Sequence, residues 1–438
     1  FWKMELAPFE KPKTEKLNDK AFNSVIKSKE KYFALVEGDI YEVKLKENKL
    51  DKIKIEYSFS KNLHDEFVQM FYENWAALAE NFYDENYHGI NWVETKNQYE
   101  AFLPHIRNRE NLRTLQNDML GELNASHLDF RTQGDEQKTF YKLQYNATGI
   151  IFDENDPYVV KRFVRKSPVD ILDNKIQPGD RLIAVNNITI DQKINREYYF
   201  TLPEIQNELI LKFSRKNSVF EVKVHPIASY SLNNLLYDEW IFANQQVVDK
   251  ISQNRIAYVY MKDMGGGSIN DFLIDMTTEA VHKEALILDL RYNRGGNVHD
   301  DVIKFLSQKP YLEWKYRNGK LSPQPNFAPA AKPIILLVNE QSLSDAEMTA
   351  AGFKQLNLGK IIGTETYRWI IFTSARQLVD GSFTRLPAWG CYTLDGKNLE
   401  KEGVKPDIYV KNTFYDRLNG TDPQLERAIQ VIMEELNK

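Results

Sequence analysis

The stretch that decides the fold is Lys332 to Gly352, KPIILLVNEQSLSDAEMTAAG. Residues 334–338 form a continuous apolar run, rich in β-branched side chains, of the length expected for a buried strand. A short polar turn follows and a helical pattern begins at Ser344, which predicts strand, tight turn and helix. Such a junction exposes a side chain beside the free N–H groups and the positive dipole end of the helix. Ser344 is therefore a candidate nucleophile, although a serine at a helix start is more often just an N-cap.

Length and composition predict a multidomain globular protein. At 438 residues the chain is too long for one typical core, and roughly two to four domains are expected. The net charge is −5 and no basic block stands out, which argues against nucleic acid as a partner. No apolar run approaches the ~18–20 residues that cross a bilayer, so no membrane span is expected.

Cysteine and histidine usage argues against a disulfide and against a metal site. Cys391 is the single cysteine, which excludes an intrachain disulfide and a zinc site built from cysteines. The seven histidines show no HExxH or HxH spacing, so neither a metal nor another cofactor is expected. Because the sequence starts at Phe1 and not at Met, a removed signal or an earlier domain stays open.

The first two segments of the chain differ in periodicity. Residues 1–58 have the pattern of short strands, with a hairpin around Gly38, and predict a β-strand arm. Residues 59–131 carry apolar side chains at helical spacing and predict a helical subdomain with three amphipathic helices. His127 comes directly after the third of these helices. A histidine there is usually a capping or surface residue, so this position alone does not assign it a role.

Short strands and turns alternate in residues 139–226. Gln177-Pro178-Gly179-Asp180 fits a type II turn, because proline stands at the second position and glycine where φ is positive. The stretch IQPGDRLIAVNN, residues 176–187, resembles the hairpin of a PDZ domain, which binds peptide ends by adding a strand to an exposed edge. The usual carboxylate-binding loop is only loosely matched at residues 147–150, so a spacer or lid without peptide binding is the alternative.

Strands and helices alternate in residues 227–438 and predict an α/β domain with a largely buried sheet. One of its strands ends in Asp289-Leu-Arg-Tyr-Asn-Arg-Gly295-Gly296. Consecutive glycines let the backbone turn sharply and point N–H groups into a cleft. Next to a serine on a neighbouring strand, such a turn can form half of an oxyanion hole, which needs two converging N–H donors. A simple connecting loop is the other interpretation.

Five motifs in this order resemble the tail-specific, or C-terminal processing, serine peptidases, and most closely the tricorn protease core. They are Asn124-Ala-Ser126-His127, the IQPGD turn, Asp289 to Gly296, Asn339-Glu-Gln-Ser-Leu-Ser344-Asp345, and Leu399-Glu400-Lys-Glu-Gly403-Val-Lys-Pro406-Asp407. The resemblance covers residues 56–438 and implies a multidomain α/β and α+β architecture. This implied architecture consists of the β arm, the helical subdomain, the PDZ-like β domain and an α/β sandwich catalytic domain of the ClpP/crotonase-like kind.

Residue by residue, the resemblance implies a catalytic tetrad. Ser344 would be the nucleophile and His127 its general base, while Ser126 and Glu400 would orient and polarise the imidazole. The general chemistry agrees with this implication. A serine hydroxyl is a weak nucleophile until a base takes its proton, and the base needs a third group to fix its tautomer.

The resemblance also implies which groups surround the nucleophile. The backbone N–H of Asp345, with one from Gly295 or Gly296, would bind the tetrahedral oxyanion. The specificity would favour basic or hydrophobic residues before the cut, with an acidic side chain helping to set it. Glu313 is the candidate for that side chain, and a solvated charge at a strand end is the alternative.

Two features depart from the processing-protease branch. That branch activates its serine with a lysine further along the chain, but no lysine lies between Lys360 and Lys397, and Trp369 stands near the expected place. This favours the tricorn-type tetrad over a Ser-Lys dyad. Thr366-Tyr-Arg-Trp-Ile also replaces a glycine-rich turn, so the substrate cleft is expected to have a different shape.

The sequence therefore predicts a tricorn-like serine endopeptidase that cleaves peptides or unfolded protein segments through an acyl-enzyme. A catalytically inactive peptide-binding PDZ scaffold and a C-terminal processing protease are the alternatives. An α/β-hydrolase esterase does not fit, because no Gly-x-Ser-x-Gly surrounds Ser344. By the resemblance, residues 31–58 would be the last strands of a β-propeller and the chain would form homo-oligomers such as hexamers. The location would be cytoplasmic, with a periplasmic or exported form as the alternative.

Overall fold

The computed structural model describes residues 2–16, 22, 24–56, 58, 60–139, 142–172 and 175–438. The chain divides into two compact units, Phe1–Leu63 and His64–Lys438. Among the described residues, no helix combines the length and the apolar character that crossing a bilayer requires.

Antiparallel strands form the first unit. They are β1 (Trp2–Glu5), β2 (Lys13–Lys16), β3 (Ser24–Ser28), β4 (Lys31–Val36), β5 (Asp39–Lys44) and β6 (Lys49–Lys52). β1 pairs with β2, and β3 to β6 form a four-stranded meander. The predicted hairpin joins β4 to β5 at Gly38, whose φ of +87° suits a glycine. The N-terminal strands are thus confirmed, and their interpretation as the end of a propeller stays a prediction.

A helical segment follows. It contains α1 (Leu63–Asn81), α2 (Trp92–Glu100) and α3 (Arg109–Gly121), and a short strand, β7 (Asp129–Arg131), comes after it. Asn91 and Asn108 cap α2 and α3, because each side chain accepts a hydrogen bond from the backbone N–H three residues on. The sequence pattern predicts that the second helix runs to about Pro104, but α2 ends at Glu100. Pro104, which has no N–H to donate, lies in the first turn of a separate 3₁₀ helix.

Residues 144–228 form three small sheets. Their strands are β8 (Gln144–Ala147), β9 (Ile150–Phe152), β10 (Val160–Phe163), β11 (Arg181–Val185), β12 (Ile188–Thr189), β13 (Thr201–Leu202), β14 (Leu209–Arg215), β15 (Ser218–Val224) and β16 (Ile227–Ala228). The sheets have the orders β12-β11-β14-β15, β10-β9 and β13-β8-β16. The turn at residues 177–180 is present, with φ of +93° at Gly179. The interpretation of residues 139–226 as a PDZ-like domain stays a prediction.

The rest of the chain is an α/β sandwich. Its helices are α4 (Ser229–Ser252), α5 (Gly266–Thr278), α6 (His299–Leu306), α7 (Asp345–Gln355), α8 (Leu399–Glu402), α9 (Phe414–Leu418) and α10 (Pro423–Leu436). Its strands are β17 (Ile256–Tyr260), β18 (Ala285–Asp289), β19 (Leu312–Lys315), β20 (Leu321–Gln324), β21 (Ile334–Val338), β22 (Lys360–Gly363), β23 (Ile371–Gln377), β24 (Phe383–Gly390) and β25 (Ile408–Tyr409). Five of them form a parallel sheet in the order β17-β18-β21-β22-β25.

Helices cover both faces of this sheet. Side chains of α5, α6 and α7 pack on one face, and side chains of α4 and α10 pack on the other. Burial on both faces explains why the central strands are continuous apolar runs. Because β18 and β21 are adjacent and parallel, the turns that follow them meet at one edge of the sheet. These two turns carry Gly295-Gly296 and Ser344.

A three-stranded antiparallel sheet connects the helical segment to the sandwich. β24 pairs with β23 on one side and with β7 on the other, and Arg385 lies opposite Asp129. Since β7 begins two residues after His127, this pairing carries the histidine to the edge of the sandwich where Ser344 lies.

Candidate active site

Ser344 lies at the sharp bend between β21 and α7. Its φ of 56° and ψ of −117° form a backbone conformation that a residue with a Cβ rarely adopts. Strain of this kind costs about 1–3 kcal/mol and persists only where the surroundings enforce it. The Ser344 N–H donates to Glu347 Oε1 at 3.0 Å, and the Glu347 N–H donates to the Ser344 carbonyl at 2.9 Å. The bend is therefore held by hydrogen bonds in both directions.

Glu347 anchors a second segment to the same bend. Its buried carboxylate also accepts backbone N–H bonds from Arg368 and Trp369, both at 2.8 Å, and a hydroxyl bond from Thr366. Burial raises the pKa of Glu347, and these hydrogen bonds oppose that rise. Glu347 is not among the site residues predicted from the sequence. The usable signal was the Ser-x-x-Glu spacing of a capping box at the start of α7.

An unbroken series of hydrogen bonds leads from Ser344 to a carboxylate. The Ser344 Oγ lies 3.1 Å from His127 Nε2, although the two residues are 217 positions apart in sequence. His127 Nδ1 lies 2.8 Å from Ser126 Oγ. Ser126 in turn donates from its hydroxyl to Glu400 Oε2 at 3.0 Å and from its N–H to Glu400 Oε1 at 2.8 Å. The structure thus brings together all four residues that the resemblance assigned to the tetrad.

The direction of these hydrogen bonds fixes the imidazole tautomer. Because the Ser126 hydroxyl donates its hydrogen to Glu400, its oxygen is an acceptor toward His127 Nδ1. The imidazole proton therefore lies on Nδ1, and Nε2 presents its lone pair to the Ser344 hydroxyl. A base in this tautomer can take the proton of the serine directly.

His127 is buried and neutral. It is 4% exposed, has a φ of +62°, and its ring lies 4.9 Å from the ring of Trp369. Burial and the nearby cation of Arg385 lower the pKa of His127 to about 4. Trp369, which stands where the processing branch would place its lysine, thus packs on the imidazole.

The low pKa of His127 predicts the pH dependence of catalysis. The imidazole acts as a base only when neutral, so kcat/KM should stay near its maximum well below neutrality and fall as the pH drops through about 4. The measurement is kcat/KM for a fluorogenic peptide across this range, with circular dichroism at each pH as the control for folding. An acidic limb centred near 6.5, the ordinary histidine value, would contradict the buried neutral imidazole.

Gly295 and Gly296 lie directly beside Ser344. A Cβ at Gly295 would lie 2.6 Å from Ser344 Cβ, and one at Gly296 would lie 2.0 Å from the carbonyl oxygen of Met264. Only glycine fits at these two positions. The Gly295 N–H donates to Asn293 Oδ1 at 2.9 Å, whereas within the described residues the N–H groups of Gly296 and Asp345 have no acceptor. Of the two glycines considered from sequence, Gly296 is therefore the better candidate donor.

Asp345, the first residue of α7, is hydrogen-bonded to the segment that follows the glycine turn. Its Oδ2 accepts the N–H of Val298 at 2.6 Å and that of His299 at 3.0 Å, and its Oδ1 accepts from His299 Nδ1 at 2.5 Å. The hydrogen bond to Asp345 raises the pKa of His299. The two backbone segments that carry the candidate donors are thus fixed to each other. The role of His299 gave no signal in the sequence.

A cavity of about 450 Å³ opens beside Ser344. Its walls include Gly296, Asp345, Met348, Ile370, Phe372, Thr373, Arg385 and Trp389. Glu313 is not among the lining residues, because it lies exposed on β19 in the hairpin with β20. The predicted role of Glu313 in specificity is therefore not supported by a position in the wall of this cavity. Among the described residues, no group of three or more histidine, cysteine, aspartate or glutamate side chains could hold a metal ion.

Comparisons with known proteins agree with the resemblance found in the sequence. Residues 255–410 match peptidase family S41, and residues 63–121 match the tricorn protease C1 domain. The tricorn protease of Thermoplasma acidophilum is 30% identical over 391 residues, which are 86% of this chain and 35% of that protein. The tricorn protease homolog of Saccharolobus solfataricus is 28% identical over 392 residues, which are 85% of this chain and 35% of that protein.

A solved structure gives the same result. A crystal structure of the tricorn protease superposes with a TM-score of 0.83 at 25% identity and covers 97% of this chain and 42% of that chain. This chain thus spans about a third of the length of the curated relatives that it matches. The predicted architecture of N-terminal strands, helical region and central parallel sheet is confirmed. The chain therefore resembles the tricorn protease core, with a peptidase family S41 region at residues 255–410 and a tricorn protease C1 region at residues 63–121.

Proposed function

We propose that this chain is a tricorn-like serine endopeptidase that hydrolyses peptide bonds through an acyl-enzyme. The observation that carries the proposal is the series of hydrogen bonds from Glu400 through Ser126 and His127 to Ser344. Each link has the polarity that a serine nucleophile requires. A scaffold without catalysis would have no need of a buried, neutral imidazole held in one tautomer.

The acylation step follows from this geometry. Ser344 Oγ attacks the carbonyl carbon of the substrate while its proton passes to His127 Nε2. The carbonyl oxygen becomes an oxyanion, which accepts hydrogen bonds from the N–H groups of Asp345 and Gly296. When the C–N bond breaks, His127 gives this proton to the leaving amine, and Ser344 holds the acyl group as an ester.

Deacylation repeats the same proton transfers with water. His127 takes a proton from a water molecule, the resulting hydroxide attacks the ester carbon, and the proton returns to Ser344 Oγ as the acid leaves. Glu400, through Ser126, stabilises the imidazolium that forms in each half-reaction. The substrate, one water molecule and these side chains account for every proton and bond in the two steps.

The substrates and setting that we propose come from the resemblance. Peptides and unfolded protein segments would be the substrates, and the chain would act as a homo-oligomer, such as a hexamer, in the cytoplasm. The helical, PDZ-like and α/β domains would have the boundaries 59–131, 139–226 and 227–438. The chain spans about a third of the length of its relatives, so these proposals concern only the corresponding part of those proteins.

The test is peptide hydrolysis followed by mass spectrometry of the products. The wild-type chain and the Ser344→Ala variant are incubated with unfolded casein and with a mixed peptide library. We expect internal cuts with the wild type and none with the variant. Cuts confined to the C-terminal end would favour a processing protease, and peptide binding without any cut would favour the inactive scaffold.

A further inference from the structure

His299 lies where the segments of the two candidate oxyanion donors meet. It is the first residue of α6 and follows shortly after Gly296 in the chain. Its Nδ1 lies 2.5 Å from Oδ1 of Asp345, the first residue of α7. His299 thus belongs to the segment of one donor N–H and is bonded to the residue that carries the other.

The hydrogen bonds around Asp345 are those of a carboxylate. Its Oδ2 accepts the N–H groups of Val298 and His299 at 2.6 and 3.0 Å, and its Oδ1 accepts from the His299 ring. The Asp345 side chain is only 2% exposed, and among the described residues His299 is its ion-pair partner. A buried carboxylate needs such a partner, because an uncompensated charge inside a protein is costly.

Both nitrogens of the His299 ring have a carboxylate beside them. Nδ1 faces Asp345, and Nε2 lies 3.5 Å from Oδ1 of the exposed Asp300. An imidazole donates from both nitrogens only when it is protonated. The geometry therefore favours the imidazolium form of His299.

The groups packed around the ring determine the pH at which it loses this proton. The hydrogen bond to Asp345 raises the pKa of His299, and burial of the ring opposes this rise. The charges of Asp300 and Asp301, on the same helix, raise the pKa further. From β23 the ring is faced by Phe372, which is uncharged and whose ring centre lies 6.0 Å away. His299 therefore stays protonated to a higher pH than an ordinary histidine.

The charge of this pair matters because an oxyanion forms next to it. During acylation, negative charge develops within hydrogen-bonding reach of the N–H groups of Asp345 and Gly296. A carboxylate on one of these two residues, without a cation beside it, would repel that charge. The imidazolium of His299 offsets this repulsion, and its bond to Asp345 holds the start of α7 against the segment that follows the glycine turn.

We propose that His299 is a positioning residue of the oxyanion hole, which in its protonated form holds and neutralises Asp345 and so sets an upper pH limit for catalysis. This inference rests on the proposed function and specifies how the same site is regulated. His299 acts through Asp345 and not on the substrate itself.

The first experiment measures kcat and KM for a fluorogenic peptide as a function of pH. In the wild type, kcat should fall as the pH rises through the raised pKa of His299, because the imidazolium is lost. The fall should be about 3- to 10-fold and end in a lower plateau, since the neutral ring still donates from Nδ1. His299→Asn, whose amide donates without a charge, should stay near this plateau and show no alkaline fall.

His299→Ala removes the contact altogether. We expect kcat to be about 10- to 100-fold lower and KM to change by less than about 3-fold, because the lost interaction acts in the transition state. The two backbone N–H bonds to Asp345 do not involve the ring, and circular dichroism shows whether the variant is folded. His282→Ala, at an exposed histidine before β18, is the matched control and should behave as the wild type. If the alanine variant does not fold, the pH profile of the asparagine variant still decides the question.

A second experiment measures binding and does not depend on turnover. Its probes are fluorescein-labelled tripeptide trifluoromethyl ketones that end in Phe, Leu, Arg or Lys, and their dissociation constants come from fluorescence anisotropy. Each ketone forms an oxyanion when Ser344 Oγ adds to it, whereas the matched alcohol does not. His299→Ala should weaken ketone binding by about 10- to 100-fold and alcohol binding by less than about 3-fold. An equal loss for both probes would show a merely structural role and overturn the inference.

The outcomes separate this inference from the proposed function. If the wild type cleaves peptides while His299→Ala keeps its kcat and its ketone affinity, or if the alkaline fall persists in His299→Asn, the positioning role fails and the peptidase stands. If no peptide is cleaved but ketone binding depends on His299, the peptidase fails and the positioning role stands. A wild-type chain that neither cleaves a peptide nor binds any of the ketones would overturn both.

Discussion

Replacing His127 with alanine should lower kcat/KM for peptide hydrolysis by about 10⁴- to 10⁶-fold. The variant loses the base that takes the Ser344 proton, and none of the described residues that line the cavity beside Ser344 is a histidine that could replace it. Because the two residues act as one unit, the double variant with Ser344→Ala should be no less active than either single variant. The measurement is steady-state hydrolysis of a peptide that the wild type cleaves.

His282 provides the matched control for this experiment. It is an exposed histidine in the turn before β18, at the opposite end of that strand from the glycine turn. His282→Ala should therefore retain the wild-type kcat/KM. A loss of less than about 10-fold in His127→Ala would show that His127 is not the base.

The second large effect concerns stability. Arg291 is 1% exposed, and its guanidinium bonds to Asp289 at 2.7 Å and to Asp422 at 2.7 Å. This arrangement fastens the end of β18 to the first turn of α10, where Asp422 is the N-cap. Arg291→Ala should lower the free energy of unfolding by about 3–5 kcal/mol, because it leaves the buried Asp289 and the partly buried Asp422 without their cation.

Urea unfolding followed by tryptophan fluorescence measures this loss. Arg255→Gln is the control, since it breaks an exposed ion pair with Glu284 at 3.0 Å and should cost less than about 1 kcal/mol. Adding Asp289→Asn and Asp422→Asn to the Arg291→Ala variant should restore part of the stability. If Arg291→Ala costs no more than the control, the buried network does not hold these two elements together.

Local patterns explain what the sequence could predict. The strand, turn and helix around Ser344 come from a short apolar run and a helical period within about twenty residues, so neighbouring side chains suffice to specify them. The central strands were recognisable for the same reason, because burial on both faces leaves continuous apolar runs. The glycine pair at 295–296 could also be recognised in the sequence. The sequence does not indicate which of the two N–H groups is free to bind an oxyanion. That depends on the Asn293 side chain, which occupies the N–H of Gly295.

Long-range contacts explain what could not be predicted from local pattern. The pairing of β7 with β24 brings His127 to Ser344, and nothing in either strand specifies its partner. The tetrad was accessible only through the resemblance of the motifs that contain it. The sequence pattern does not predict helix α4, because several of its large apolar residues, such as Phe242, Val247 and Ile251, are exposed and blur the helical period. The contacts of Glu347 and His299 likewise depend on segments that meet only in the folded chain.

Intact-mass analysis after labelling with a fluorophosphonate tests the central claim most directly. This reagent forms a covalent bond with a serine only when a base activates the hydroxyl. We expect one adduct on the wild-type chain, located at Ser344 by peptide mapping, and none on Ser344→Ala or His127→Ala. A folded wild-type chain that gains no adduct at Ser344, or one that is labelled equally after His127→Ala, would contradict the activated tetrad.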